Sequence, residues 1–162
     1  MDFLSVFERL CSLHLSMLHS ENNRRFFTDP DEFTSIQDKY PLVLCLELPK
    51  RVLDGKSDNI FVVEQFELWF LKDVPGNDVA IGRVAQAEMM IIACDFVSGL
   101  KKQASFEPWL SGIDRIPYFH PGDCSFEKVS NLGLMGDNNW GVALRVTLGA
   151  GKQFAFDNSK WY

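Results

Sequence analysis

The spacing of apolar and polar residues changes several times along the chain, and each stretch of regular spacing predicts one helix or one strand. The longest regular stretch covers residues 78–104, where apolar residues recur every three or four positions, as on one side of a helix. This stripe, which we expect to lie on a sheet, comprises Ile81, Ala85, Met89, Ile92, Phe96 and Leu100, widened by Val84 and Ile91. Asp78 suits the N-cap, and Lys101 and Lys102 suit the negative end of the helix dipole.

A second helical pattern, over residues 2–20, predicts an N-terminal helix. Its apolar stripe consists of Phe3, Phe7, Leu10, His14 and Met17, with Val6, Leu13 and Leu18 beside it. Because so little of its circumference is polar, we expect burial on more than one side, either by the chain's own sheet or by a neighbouring subunit. Residues 21–39 have no sustained period, which predicts a loop with at most one helical turn.

Two strands are expected between these helices. After Pro41, residues 42–48 form the apolar run LVLCLEL, which is typical of a central strand covered on both faces. Residues 50–59 carry turn residues and charges and predict a loop. Residues 60–72 alternate in polarity and are rich in β-forming residues, so we expect them to pair antiparallel with the first strand.

A hairpin is expected after the long helix. Residues 105–121 predict a loop with a buried Trp109, and residues 125–134 and 140–148 predict two strands around a Gly-Asp-Asn-Asn turn. One face of the last strand carries Trp140, Val142, Leu144, Val146 and Leu148, and the other carries Gly141, Ala143, Arg145 and Thr147. The small residues on that second face would permit close approach by another chain.

Together the elements predict an α+β fold, in which a mainly antiparallel sheet of two β-ribbons is covered by the long central helix and the N-terminal helix. The 162 residues fit one domain, residues 1–162, which buries roughly two thirds of the surface of the unfolded chain. Hydrophobic residues at 46% and charged residues at 23% disfavour disordered and fibrous classes. No run approaches the roughly 20 apolar residues of a membrane-spanning helix, and the acidic start does not resemble a signal peptide.

Charge and cysteine usage narrow the class further. Sixteen basic and 22 acidic residues give a net charge of −6, which disfavours a protein that binds nucleic-acid phosphates. The four cysteines form no CxxC pair, so we expect reduced thiols, buried or half-buried, in a reducing compartment. They are Cys11, Cys45, Cys94 and Cys124.

Candidate chemistry is sparse. Common phosphate-binding, zinc-binding and nucleophile motifs are absent from the sequence. His120, Asp123 and Cys124 could contribute to a metal site or form a Cys and His pair, but a plain turn before a strand is the favoured interpretation. Further metal ligands would have to come from other elements, namely His14, His19 or Cys45. Glu64 and Glu67 point to opposite faces of a strand, so we expect solvated or intersubunit charges rather than a paired acid and base.

The order helix, loop, two-strand ribbon, long helix, loop and hairpin resembles that of the phage tail-terminator and head-to-tail connector proteins. The resemblance lies in the N-terminal helix, the Tyr40-Pro41 entry to LVLCLEL, the helix at residues 78–104, and the segment VSNLGLMGDNNWGVALRVTL. It implies a structural virion protein whose subunits form a ring, usually a hexamer, that closes the tail tube or joins it to the capsid neck.

The same resemblance implies what the protein contacts. The expected partners are further copies in a homo-oligomeric ring and the neighbouring tail-tube or neck proteins, with neither a cofactor nor a catalytic residue. DNA would pass through the ring without specific binding, which an acidic balance favours. Ring contacts are expected on the N-terminal helix, the edge of the last strand and the loops at residues 50–59 and 105–121. The candidate interface residues are Phe3, Phe7, Leu10, Trp140, Val142 and Arg145.

Two other functions stay open from the sequence. The first is a small ligand-binding or adaptor domain. Its pocket would lie between the strand face that carries Trp69, on one side, and the side chain of Trp109, on the other. The second is an enzyme that uses His120, Asp123 and Cys124, and it ranks last because three reactive residue types often occur close together by chance.

Overall fold

A computed structural model of the chain describes residues 2–29, 40–54, 61–132 and 138–153. Within these residues, two α-helices pack on one face of a six-stranded sheet, which confirms the predicted α+β class. The helices are α1 (Phe3–Leu13) and α2 (Val79–Gln103). The strands are β1 (Phe26–Phe27), β2 (Leu42–Asp54), β3 (Phe61–Asp73), β4 (Tyr118–Phe119), β5 (Ser125–Leu132) and β6 (Asn139–Gln153).

The sheet has the strand order β1-β2-β3-β6-β4, and β5 also pairs with β6. The predicted antiparallel pairing of β2 with β3 and of β5 with β6 is confirmed. The short strand β1, which was not predicted, runs parallel to β2 and makes the sheet mixed. The predicted central strand β2 lies inside the sheet, between β1 and β3, although β3 and β6 occupy the middle of the strand order. Its residues from Leu42 to Cys45 are at most 2% exposed, as the continuous apolar run implies.

Side chains of the sheet alternate between two cores. On the helix side, the rings of Phe3 and Phe7 meet Phe66 edge-on at 5.7 and 5.2 Å, and Phe70 meets Phe96 at 4.9 Å. A smaller cluster on the opposite face contains Phe27, Leu42, Leu44 and Leu71. The alternation of β3 therefore places one apolar row under both helices and leaves the other row for the second core.

The ends of α2 lie where the sequence predicts. Asp78 is the N-cap, and its Oδ1 accepts the backbone N–H groups of Ala80 and Ile81 at 2.8 and 3.2 Å. At the other end, Lys101 and Lys102 occupy the last turn. Local capping and charge therefore determine both ends of the helix.

The exposed side of α2 differs from the prediction. Ile81, Val84 and Ile91 are 50%, 58% and 64% exposed, so Ile81 does not belong to the buried stripe as predicted, and Val84 and Ile91 do not widen it. At about 100° per residue, Val84 and Ile91 lie about 140° and 160° from the buried Met89, which turns them toward solvent. The helix therefore carries an apolar row on its outer side as well as the one on the sheet.

The closest approach between α2 and the sheet is at Gly82. A Cβ atom at this position would lie 2.3 Å from the ring of Trp140, which is 6% exposed and packs with Val74 and Ala85. No side chain larger than a hydrogen atom fits there without displacing the indole. Gly82 therefore lets the first part of α2 lie directly on β6.

The helix α1 ends at Leu13 rather than near residue 20. His14 is its C-cap, and the backbone then turns through Leu18, whose φ is +46°. The polar residues in this stretch, including His14 and Ser16, are weak helix formers, which accounts for the early end. As a result, Leu15 and Leu18 are exposed on a turn instead of extending a helical stripe.

Two predicted loops also change. β2 continues through Pro49 to Asp54, with a shift of register between Leu48 and Arg51 that accommodates the proline, and residues 55–60 lie outside the described residues. The segment after α2 contains β4 and an exposed Trp109, which was predicted to be buried. The predicted hairpin turn and the aromatic C-terminal segment fall largely outside the described part, which omits residues 133–137 and 154–162.

Replacing Gly82 with alanine tests the close contact of α2 with β6. We expect Gly82→Ala to lower the free energy of unfolding by about 1–3 kcal/mol, because overpacking against a buried indole outweighs the gain in helix propensity of about 1 kcal/mol. Urea denaturation followed by circular dichroism would measure the change. The matched control is Gly99→Ala, where the new Cβ first meets a terminal methyl group of Leu10, which can rotate away. An equal loss for both variants would contradict the proposed constraint.

Candidate functional site

Two adjoining cavities form a groove along the outer flank of α2. The first, of about 570 Å³, lies between α2, the end of α1 and Trp109. The second, of about 320 Å³, lies between α2 and Lys72. The two cavities meet at His14, Ser16 and Asp95. We refer to both together as the α2 groove.

The first cavity of the α2 groove has a mainly apolar lining. Its apolar residues are Leu10, Leu13, Leu15, Phe96 and Trp109. The indole of Trp109 is held at one end of the cavity, because its Nε1 donates to the carbonyl oxygen of Gly99 at 3.2 Å. The rim is open, with Leu15 87% exposed and Trp109 46% exposed. A concave apolar surface of this size suits an apolar ligand or the side chains of a protein partner.

A histidine and an aspartate separate the two cavities. His14 Nε2 lies 3.2 Å from a carboxylate oxygen of Asp95, and its Nδ1 accepts the backbone N–H of Ser16 at 3.2 Å. Because Nδ1 is an acceptor, the ring proton of the neutral imidazole is on Nε2, which then donates to Asp95. The pair joins the end of α1 to the middle of α2 and so fixes the width of the groove.

The other charged side chains of the α2 groove differ in whether they have an ion-pair partner. The carboxylate of Glu88 is hydrogen-bonded to the ammonium group of Lys72. Lys102 lines the far end of the first cavity, and among the described residues no carboxylate lies within ion-pair distance of it. The groove therefore has internally paired acids along its middle and a cation at one end.

The second candidate metal ligand, His19, has a structural role outside the groove. Its side chain is 8% exposed, and its Nδ1 accepts the backbone N–H groups of Arg25 and Phe26 at 2.8 and 3.3 Å. Its Nε2 faces a carboxylate oxygen of Glu8 at 3.2 Å. His19 therefore ties α1 to the segment that enters β1. In the part of the chain that the structure describes, no three His, Cys, Asp or Glu side chains are grouped closely enough to hold a metal ion.

The sequence cluster before β5 forms a 3₁₀ turn. His120 Nδ1 accepts the backbone N–H of Gly122 at 3.2 Å, and the hydroxyl group of Tyr118 donates to Asp123 at 3.0 Å. Burial and the nearby charge of Asp123 raise the pKa of the Cys124 thiol to about 11. A thiol with a raised pKa is protonated at neutral pH, whereas a nucleophilic cysteine needs a lowered pKa. The arrangement is that of a structural turn.

The opposite face of the sheet carries a buried carboxylate. Glu67 is 8% exposed and accepts hydrogen bonds from Nε of Arg145, its cross-strand partner on β6, and from Nε1 of Trp69. Burial alone would raise the pKa of Glu67, but the hydrogen bonds and the charge of Arg145 lower the pKa below its ordinary value. Glu67 is therefore not a solvated charge, which was one of the two predicted alternatives. Trp69 lies on this face and Trp109 near α2, so the predicted pocket between them does not form.

Five of the six predicted interface residues are buried inside this chain. Phe3, Phe7, Leu10, Trp140 and Val142 are between 0% and 6% exposed, so their side chains offer very little surface to another subunit. Of the five, Leu10 also lines the first cavity of the α2 groove. Arg145 is exposed but is bonded to Glu67 and lies 3.8 Å from Glu127. The strand that carries three of these residues also lacks the predicted free edge, because β6 pairs with β3 on one side and with β4 and β5 on the other.

The large apolar side chains that the described residues expose lie elsewhere. They are Leu13, Leu15, Leu18, Val79, Ile81, Val84, Ile91, Phe106, Trp109 and Phe126. Two signals in the sequence could have found several of them. The weak helix formers after Leu13 indicate an early end of α1, and the angular position of Val84 and Ile91 separates them from the buried stripe.

No protein-family model matches the sequence, and the comparisons with curated proteins and with solved structures found no significant match. The resemblance to tail-terminator and connector proteins therefore stays a prediction. None of the helices that the structure describes is both long and apolar enough to cross a membrane.

The buried carboxylate of Glu67, paired with the exposed Arg145, predicts how stability depends on pH. Because the pKa of Glu67 is lowered on folding, its stabilising effect is present above the ordinary value of 4.5 and is lost as the pH falls through the lowered pKa. We expect Glu67→Gln to lower the free energy of unfolding by about 1–2 kcal/mol at pH 7 and by less as the pH drops below 4. Thermal unfolding at several pH values would measure this difference.

The matched control for Glu67 is Glu127→Gln. The Glu127 side chain is 72% exposed and lies 3.8 Å from Arg145, so its loss should change stability little at any pH. If the two variants showed the same pH profile, the stabilising role of the buried carboxylate would be rejected.

The cysteines differ in accessibility, which alkylation can measure. Cys94 is exposed on α2, contrary to the prediction of buried or half-buried thiols, whereas Cys11 and Cys45 are buried. Burial, with the proximity of Cys45 and Glu8, raises the pKa of the Cys11 thiol well above its usual value. We expect iodoacetamide to modify Cys94 first in the native protein and to reach Cys11 and Cys45 only after unfolding. Peptide mass spectrometry would locate the label, and Cys94→Ser should abolish the fast phase.

Proposed function

We propose that this protein is a ring-forming structural component of a tailed-phage virion, either a tail terminator or a head-to-tail connector. The observation that carries the proposal is the number of large apolar side chains that the protein exposes. The ten among the described residues lie on α1 and the turn after it, on α2, on the loop that follows α2, or on β5. Extensive exposed apolar surface is typical of proteins that act by assembly.

The arrangement of elements supports this choice of assembly. Along the chain, a helix is followed by an antiparallel strand pair, a long helix and a second strand pair. The two strand pairs join in a single sheet. This is the order on which the resemblance to terminators and connectors rests. The net charge of −6 is compatible with a channel through which DNA slides, because like charges disfavour binding.

A second candidate function is favoured by the α2 groove. Its first cavity, of about 570 Å³, has the size and apolar lining of many ligand sites, which fits a small ligand-binding or adaptor domain. Native mass spectrometry that retained a small molecule on the purified protein would support this function over the ring.

Light scattering and negative-stain electron microscopy over a range of protein concentrations test the ring. We expect closed rings of six or more copies, alone or on addition of tail tubes. A protein that stayed strictly monomeric under all these conditions would refute the proposal.

The loop after α2 offers a specific variant. Phe106 is 91% exposed, and the guanidinium of Arg115 lies 4.8 Å from its ring. We expect Phe106→Ser to raise the concentration needed for ring formation by about tenfold or more, because exposed aromatic residues often dominate interfaces. The melting temperature should not change, since the side chain contributes little to the core. Ser111→Ala, at an exposed position of the same loop, is the matched control and should assemble normally.

A further inference from the structure

We propose that His19 is an acid-sensitive latch that holds the short strand β1 on the edge of β2. The neutral imidazole binds the segment that enters β1, and a proton on its Nδ1 releases this segment and uncovers the edge of β2. The inference does not depend on the proposed function, because it concerns a contact within one chain.

The first observation is the position of the imidazole proton. Nδ1 of His19 accepts the backbone N–H groups of Arg25 and Phe26 at 2.8 and 3.3 Å. On the other side of the imidazole, Nε2 lies 3.2 Å from a carboxylate oxygen of Glu8. Because Nδ1 is an acceptor, the single proton of the neutral imidazole is on Nε2 and is donated to Glu8. A second proton would bind Nδ1 and face two N–H donors, so the imidazolium ion is incompatible with both backbone hydrogen bonds.

The second observation is how far the effect of these bonds reaches. Since β1 has two residues, it forms few hydrogen bonds of its own with β2. The N–H of Arg25 donates to His19, and its carbonyl oxygen accepts the N–H of Val43 on β2 at 2.7 Å. The neighbouring Phe26 and Phe27, 5% and 0% exposed, belong to the cores on opposite faces of the sheet. Loss of the bonds to His19 therefore weakens the contact with β2 and the anchoring of β1 in both cores.

The charges near His19 do not replace the lost hydrogen bonds. The attraction of Glu8 for a protonated imidazole is screened, because the side chain of Glu8 is 57% exposed. This attraction involves neither Arg25 nor Phe26, so it can persist after the segment leaves. The imidazole itself is 8% exposed, which makes the loss of its two backbone bonds costly.

The other groups around the imidazole leave this balance unchanged. Those that line the same cavity, of about 300 Å³, are the charged Arg9 and Glu21 and, from the loop after α2, the uncharged Ser111 and Ile113. The guanidinium of Arg25 is bonded to Asn23 and to the carbonyl oxygen of Pro41. The thiol of Cys11, whose carbonyl oxygen accepts the backbone N–H of His19, stays neutral because burial raises its pKa.

The other two histidines differ from His19 in what their Nδ1 holds. His14 and His120 accept the backbone N–H groups of Ser16 and Gly122, each two residues further along the chain. Protonation of these two imidazoles would therefore disturb a single turn. The backbone bonds of His19 span six and seven residues, so His19 is the histidine whose Nδ1 holds a strand in place.

Hydrogen exchange followed by NMR tests the latch. Histidine ordinarily changes charge between about pH 5 and pH 8, and the released state binds one proton more than the latched state. The latch is therefore stable at the upper end of this range and weakens as the pH falls, by up to about tenfold per pH unit. Between about pH 7.5 and pH 5 we expect the protection factors of the Arg25, Phe26 and Val43 amides to fall about tenfold or more. Those of Leu68 and Phe70, on β3 between β2 and β6, should change little.

The variant His19→Asn separates the latch from other effects of acid. The side-chain oxygen of asparagine can accept the same backbone N–H groups and does not titrate, so the protection factors should become independent of pH. The matched control is His120→Asn, at a side chain that is 68% exposed, which should keep the wild-type response. Wild-type protection that does not respond to pH, an equal response in His19→Asn, or an equal loss of protection in β3 would each overturn the latch.

The wild-type protein alone provides a second test, which decides the matter if His19→Asn does not fold. The nitrogen chemical shifts of the His19 imidazole should show a neutral form protonated at Nε2. Uptake of the second proton should coincide with the loss of protection at Arg25 and Phe26. An imidazole that takes up this proton while both amides stay protected would overturn the latch.

Discussion

The contact of α2 with β6 at Gly82 and Trp140 is the constraint on which the rest of the arrangement depends. Because only a glycine fits beneath the indole, the helix can lie on the sheet in one rotational setting without displacing a buried aromatic ring. That setting turns Met89 and Phe96 into the core and Ile81, Val84 and Ile91 to solvent. The outer surface of the molecule is thus determined by a contact on the inner side of the helix.

The α2 groove follows from this setting together with the early end of α1. A longer first helix would continue in line, whereas the turn after Leu13 places His14 against Asp95 and carries Leu15 beside the helix. The sheet beneath is rigid because each face has its own core, and the pair of Glu67 and Arg145 joins the two central strands on the far side. An exposed apolar surface on such a support keeps its shape before a partner arrives, which lowers the entropic cost of docking.

Sequence patterns predicted the elements better than their environments. The limits of α2 follow from Asp78 and the terminal lysines, and the alternation of β3 and β6 is local information. The pairing of β1 with β2 depends on contacts made by His19 and by residues far away in the chain, which periodicity does not contain. The candidate interface at Phe3, Phe7 and Trp140 was placed at the surface because an apolar stripe looks the same whether its own sheet or another subunit covers it. The burial of Glu67 could not be predicted either, because it depends on Arg145, which is far away in the sequence.

The strand order also determines when the molecule can fold. Phe70 pairs with Val142, so the two central strands are separated in sequence by the whole of α2, β4 and β5. During synthesis β2 and β3 can pair early, since only residues 55–60 separate them in sequence, but the centre of the sheet cannot form until β6 has left the ribosome. Until β6 is in place, the core-facing side chains of α2 and of β3 cannot pack against it. The centre of the sheet therefore forms only after β6 has been synthesised, and before that the nascent chain passes through a stage in which its core-forming surfaces are open to chaperones or to aggregation.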